Sequence, residues 1–114
     1  FKEQEKFLNQ VVRVETYLKP EQLIKHLKRL DVALGRKESF PNGPRLIDID
    51  ILFYDDLVMY SPSLNIPHAH LHERGFVLVP LMDIASDFVH PVKKKTIREL
   101  GLFADVSGVR KFDQ

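Results

Sequence analysis

The sequence predicts an α/β sandwich, a sheet covered by helices, and three observations carry that prediction. Apolar and polar residues alternate in QVVRVETY, residues 10 to 17, and again in GPRLIDIDILFY, 43 to 54; this is the period of a strand with one buried face. Between them Leu23, Ile24, Leu27, Leu30 and Leu34 recur at the period of a helix. Further on, short strand-like and helix-like runs keep alternating to about residue 100. Periodicity alone does not set the strand order.

In the first stretch Val12 and Val14 are expected to face inward, because β-branched residues without a breaker favour a strand. Pro20 suits a first helical turn, so the helix is placed from about 20 to 34, ending near Gly35, with Lys25, Lys28 and Arg29 on its polar face. GRKESFPNGP, 35 to 44, holds two Gly and two Pro among charges and reads as a loop. It feeds the second alternating stretch, where Ile47, Ile49, Ile51 and Phe53 share one side and Asp48 and Asp50 the other. Asp55, Asp56 and Leu57 read as a tight turn, Val58 to Tyr60 as a short return strand, and SPSLNIP as a loop. His68 to Arg74 is expected to form a short helix or turn closed by Gly75, FVLV at 76 to 79 a buried strand, and 80 to 86 and 96 to 100 two short helices.

The chain has 114 residues, 44% of them hydrophobic, enough for one domain with a packed core. A formal net charge of +1 creates no field that points to nucleic acid or an anionic membrane. Absence of cysteine excludes disulfides and thiolate chemistry and fits a cytoplasmic protein. No apolar run approaches bilayer length. The chain starts without Met and enters strand-like sequence almost at once, so upstream residues are expected to be missing.

Two carboxylates about 7 Å apart on one face of a regular strand repel unless a cation neutralises them. Hard oxygen donors suit Mg²⁺, which completes its shell with water and phosphate oxygens. Arg45, three residues before Asp48, is either the charge partner of the pair or a guanidinium aimed at phosphate. IPHAHLHERGF adds three histidines and an arginine; His68 and His72 have the i, i+4 spacing of zinc pairs, but Glu73 does not complete the usual arrangement, and polyphosphate suits the cluster better. The plain alternative is a solvated strand face.

GPRLIDIDILFYDD followed by LNIPHAHLHERGFVLVPLMDIA resembles, in order and approximate spacing, the 6-hydroxymethyl-7,8-dihydropterin pyrophosphokinase family. The resemblance runs from about Phe7 to Leu100 and implies a ferredoxin-like sheet covered by helices, whose N-terminal strand, helix and strand this chain lacks. On that reading residues 1 to 114 are one partial domain, completed by a second chain or part of a fusion with other folate-pathway enzymes. The implied activity is pyrophosphate transfer from ATP to the pterin hydroxymethyl group, giving AMP, with two Mg²⁺ ions held by Asp48 and Asp50. Arg45, His68 and Arg74 correspond to positions that contact the triphosphate, and Arg36 to a loop arginine that closes over it. Phe7, Asn9 and Phe76 correspond to the pterin side, and Ile51, Leu64 and Asn65 to the surroundings of adenine. Each also has a structural reading: core aromatics for Phe7 and Phe76, a turn for Asn9, packing for Ile51 and Leu64, loop positions for Asn65 and Arg36. The chain departs from the family in having Asn42 where an aromatic usually precedes Gly43, no Trp, and a slightly short loop between Gly35 and Gly43. A Mg-dependent nucleotidyltransferase and a non-catalytic binding or assembly module are the competing functions.

Overall fold

A computed structural model describes residues 9–34 and 48–109. Among the described residues three α-helices, one 3₁₀ turn and a two-stranded antiparallel sheet give an α/β arrangement. The chain forms two compact units, Glu15–His68 and a second made of Phe1–Val14 with Ala69–Gln114.

The first unit starts with helix α1, Pro20–Leu34, within the predicted limits. Pro20 presets φ for the first helical position, where its missing N–H costs nothing. Gln22 reaches back so that its side-chain oxygen accepts from the Lys19 N–H at 2.9 Å, satisfying a donor the helix leaves open. Leu23, Ile24 and Leu27 pack against a buried cluster of Ile51, Leu64 and Ile66, joined by Tyr54, Leu57 and Met59. The apolar stripe does not continue as expected. Leu30 and Leu34 are exposed, and Asp31 is fully buried instead.

Strand β1, Met59–Tyr60, pairs antiparallel with β2, Asn65–Ile66, in the register Met59 to Ile66 and Tyr60 to Asn65. Ser61 closes the connection: its hydroxyl donates to the Leu64 carbonyl and accepts from the Leu64 N–H. Asp55 provides the turn before β1 in the left-handed region, φ 50°, which Asp tolerates better than most residues. Residues 48–53 keep the expected alternation, with Ile51 buried and both aspartates exposed, yet they belong to no sheet among the described residues. The His68 N–H bonded to the Leu52 carbonyl at 2.9 Å ties this segment to the chain after β2. Residues 10 to 17 form no strand either, and Val12 and Val14 are exposed, not inward. Both corrections have one cause: alternation marks a face, but a strand needs a neighbour to supply its ladder.

In the second unit the expected strand at 76 to 79 is the first turn of helix α2, Gly75–Ala85. A short apolar run carries no helix or strand signature of its own, and its continuation through eleven residues decides for the helix. Pro80 lies inside α2, where it withholds one N–H from the ladder. The 3₁₀ turn Leu71–Glu73 leads into α2, with Leu71 fully buried, and a Cβ on Gly75 would strike the carbonyl oxygen of Asp105. Helix α3, Ile97–Phe103, opens with a capping box: Thr96 Oγ1 accepts from the Glu99 N–H at 3.1 Å, and Glu99 Oε1 accepts from the Thr96 N–H at 2.8 Å. The Thr96 N–H, and then the Thr96 hydroxyl, donate to Glu99 Oε1 and hold that carboxyl below its usual range. Gly101 lets α3 approach Met82 of α2, and Leu78, Leu81, Ile97 and Leu100 are buried.

His90 organises the connection between α2 and α3. It is 4% exposed, and its Nδ1 accepts from the N–H groups of Val92 and Lys93 at 3.1 and 3.0 Å. Burial, then the nearby His72 and Lys93, push its pKa down from 6.5. The unfolded chain therefore takes up this proton first as pH falls. Stability is expected to be level above about pH 7 and to drop as pH falls below about 6.5, whereas Glu99 and Asp105, both depressed acids, act only at lower pH. Thermal unfolding between about pH 7.5 and 5.5 checks this, and a level midpoint across that window contradicts it.

Candidate active site

The two aspartates are fastened to α1 through its polar residues. Asp31, one turn beyond Leu27, points into the protein, and its Oδ1 accepts from the Ile49 N–H at 3.0 Å. Lys28, one turn before Asp31, sends its ammonium across to the same segment. Its Nζ donates to the Ile49 carbonyl at 2.6 Å and lies 3.2 Å from Asp48 Oδ1 and 3.4 Å from Asp50 Oδ1. Asp31 Oδ2, fully buried and making no hydrogen bond among the described residues, is also 3.4 Å from that nitrogen. Three carboxylates thus surround one cation, which answers the repulsion expected between Asp48 and Asp50.

The energetics follow from burial. Lys28 is opposed by desolvation, but the hydrogen bond to Asp48 and the charges of Asp50, Asp48 and Asp31 outweigh it and hold the ammonium above its ordinary 10.5. Asp48 and Asp50 are 47% and 45% exposed, so their ion pairs with Lys28 contribute little stability. Asp31 is the structural member. The 48–51 segment depends on it for a satisfied backbone donor, the Ile49 N–H.

Carboxylate oxygens that converge within 3.4 Å of one point suit a cation of hard character. Among the described residues no group of three or more His, Cys, Asp or Glu forms a metal cage. A pair of carboxylates is what Mg²⁺ uses when water and substrate phosphates complete its shell, so Asp48 and Asp50 fit that ion.

The other expected site residues fall as follows. Ile51 and Leu64 are buried in the core cluster of the first unit, Asn65 is exposed on β2, and His68 is half-buried. In the second unit Asn9 is exposed, and the Arg74 guanidinium lies 5.9 Å from the centre of the Phe76 ring, which is 44% exposed at the start of α2. Phe76 is therefore not a plain core aromatic. Phe7, Arg36 and Arg45 lie outside the described residues. Lys28 and Asp31 were not among the expected site residues. Their i, i+3 spacing on a helix was a signal, because such pairs face the same way.

Residues 1–86 match the family described as 7,8-dihydro-6-hydroxymethylpterin-pyrophosphokinase. The chain is 41% identical over 99 residues to a 2-amino-4-hydroxy-6-hydroxymethyldihydropteridine pyrophosphokinase of Aquifex aeolicus, covering 87% of this chain and 62% of that one. It is 45% identical over 102 residues to a folic acid synthesis protein of Dictyostelium discoideum, covering 90% of this chain and 16% of the relative. A mitochondrial folate synthesis bifunctional protein of Pisum sativum is 45% identical over 82 residues, 72% of this chain and 16% of that one. Paired carboxylates on a cation are the feature of this site, and the chain belongs to the 7,8-dihydro-6-hydroxymethylpterin-pyrophosphokinase family. It spans less than two thirds of the length of these relatives.

Asp31→Ala is expected to cost about 2 kcal/mol, because it strands the Ile49 N–H and removes a carboxylate from Lys28. Asp31→Asn, which keeps an acceptor for Ile49, should cost less. Urea unfolding of the three proteins checks the order, and equal stability of Asp31→Ala and wild type contradicts it.

Proposed function

We propose that this chain carries part of an enzyme transferring pyrophosphate from ATP to the hydroxymethyl group of 6-hydroxymethyl-7,8-dihydropterin, a step of folate biosynthesis, with AMP as second product. The observation that carries the proposal is the convergence of Asp48 and Asp50 on one cation position. Family membership supplies the pterin and the reaction.

Asp48 and Asp50 would hold Mg²⁺, two ions by the resemblance, and the metal supplies neutralisation of phosphate charge when bound. Transfer of this kind asks a protein chiefly for positioning and electrostatics. In the first unit, Asp31 and Lys28 fix the segment that presents the aspartates. Arg45 and His68 act on the triphosphate as cation and hydrogen-bond donor, and Arg36 joins them from its loop. Ile51 and Leu64 support the adenine side by packing, with Asn65 exposed next to Leu64 in sequence. In the second unit, Arg74 serves the phosphates, while Phe76 offers a partly exposed ring for stacking and Asn9 an amide for the pterin edge.

The finer fold is proposed to be the ferredoxin-like sheet of the family, with the strand, helix and strand that precede this segment supplied by more of the same polypeptide or by a second chain. Fusion to other folate enzymes fits the small share of the Dictyostelium and pea proteins that this chain covers. A cytoplasmic location is proposed from the bacterial relative, the pea protein's name placing that one in mitochondria. No helix among the described residues is long and apolar enough to cross a membrane.

The test is Mg²⁺-dependent AMP release from ATP with and without the pterin, for this chain and for a version extended at its N-terminus. AMP that forms only with the pterin supports the proposal; AMP independent of it, or nucleotide attached to an acceptor with free pyrophosphate, overturns it. Asp50→Asn is expected to lower the rate about a thousandfold through lost charge stabilisation, while the thermal midpoint stays nearly level because the carboxylate is 45% exposed. An unchanged rate contradicts the assignment of Asp50.

A further inference from the structure

Lys28 stands where the function needs a metal. Its ammonium is within 3.4 Å of one oxygen of Asp48 and one of Asp50 and is fixed from behind by the Ile49 carbonyl at 2.6 Å. A divalent ion held by both aspartates needs oxygens at about 2.1 Å, so it has to enter the volume this nitrogen holds. Two cations do not share that volume. The second observation lies on the other side of the ammonium: Asp31 Oδ2, fully buried, makes no hydrogen bond among the described residues and faces Nζ at 3.4 Å. A buried carboxylate oxygen left without a donor is an open seat for one.

We propose that Lys28 is a resident counter-cation of the Asp48 and Asp50 pair, which a divalent metal displaces toward the buried Asp31 carboxylate. The proposal rests on the metal assignment made above. Without metal the ammonium keeps the two aspartates from repelling and holds them converged, so the site is assembled before its ion arrives. With metal, Asp31 keeps Lys28 paired, so the charge is moved a short way rather than expelled into solvent. Lys28 is accordingly a positioning residue that competes with the metal and sets how tightly the site binds it.

Competition gives a readout independent of turnover. Mn²⁺ binding without nucleotide, followed by the electron paramagnetic resonance signal of the free ion, is measured for wild type, Lys28→Met and Asp50→Asn. Removal of the adjacent positive charge is expected to tighten Mn²⁺ about tenfold in Lys28→Met, while Asp50→Asn loses binding. If Asp50→Asn loses binding but Lys28→Met binds no tighter than wild type, the role of Lys28 is overturned and the metal assignment stands. If Asp50→Asn binds like wild type, or wild type binds no Mn²⁺, the metal assignment falls and this proposal with it. A second measurement needs no substitution. Labelling of wild type with an amine-reactive reagent, read by mass spectrometry, should fall at Lys28 relative to Lys95 when Mn²⁺ is added, because the amine moves away from solvent toward the buried Asp31 carboxylate, and an unchanged or raised ratio overturns the displacement.

Discussion

The buried carboxylate of Asp31 is the constraint on which the first unit depends. Ionised groups are seldom fully buried, and one that is must be hydrogen-bonded and paired. Asp31 meets both demands by accepting from the main chain of Ile49 and by facing the ammonium of Lys28. The arrangement joins two segments that lie far apart in sequence. Hydrophobic packing of Leu23, Ile24 and Leu27 on Ile51, Leu64 and Ile66 brings α1 against the segment after residue 48, but packing alone permits sliding. The directional contacts at the end of the apolar stripe set the register, and with it the place of both aspartates.

The second unit achieves order by different means. Its helices begin at defined points: α2 at Gly75, where the chain passes against Asp105, and α3 at the reciprocal Thr96 and Glu99 bonds. Between them His90 gathers two backbone N–H groups onto one ring nitrogen, turning a lysine-rich loop back toward α3. The charged side chains of that loop remain in water, and the imidazole and the backbone hold the turn.

Local signals explain what could be read from the sequence. Pro20 and the leucine spacing place α1, and Thr96 followed by Glu99 marks the start of α3, because capping chemistry is decided within four residues. The aspartate pair was legible for the same reason, as a period of two needs only a few residues to show. What failed depends on distant partners. FVLV reads as a strand until the helix around it is known, and Val12 and Val14 read as buried until the absence of a paired neighbour among the described residues is seen. Lys28 and Asp31 were hidden because their importance lies in Ile49, some twenty residues away, and on a helix surface they look like an ordinary charged pair. Leu30 and Leu34 mark the same limit, since the helix period continues past the point where the core ends.

The attachment of Ile49 to α1 uses the peptide groups of that residue, its N–H to Asp31 and its carbonyl to Lys28, and leaves its side chain free for the apolar side. Information about where the aspartates stand is therefore carried by main chain that every amino acid except proline provides. The two properties are separable: the partly buried side chain at residue 49 can change, while the flanking carboxylates keep their aim. A protein built this way can remodel its interior over generations without having to reinvent its chemistry each time.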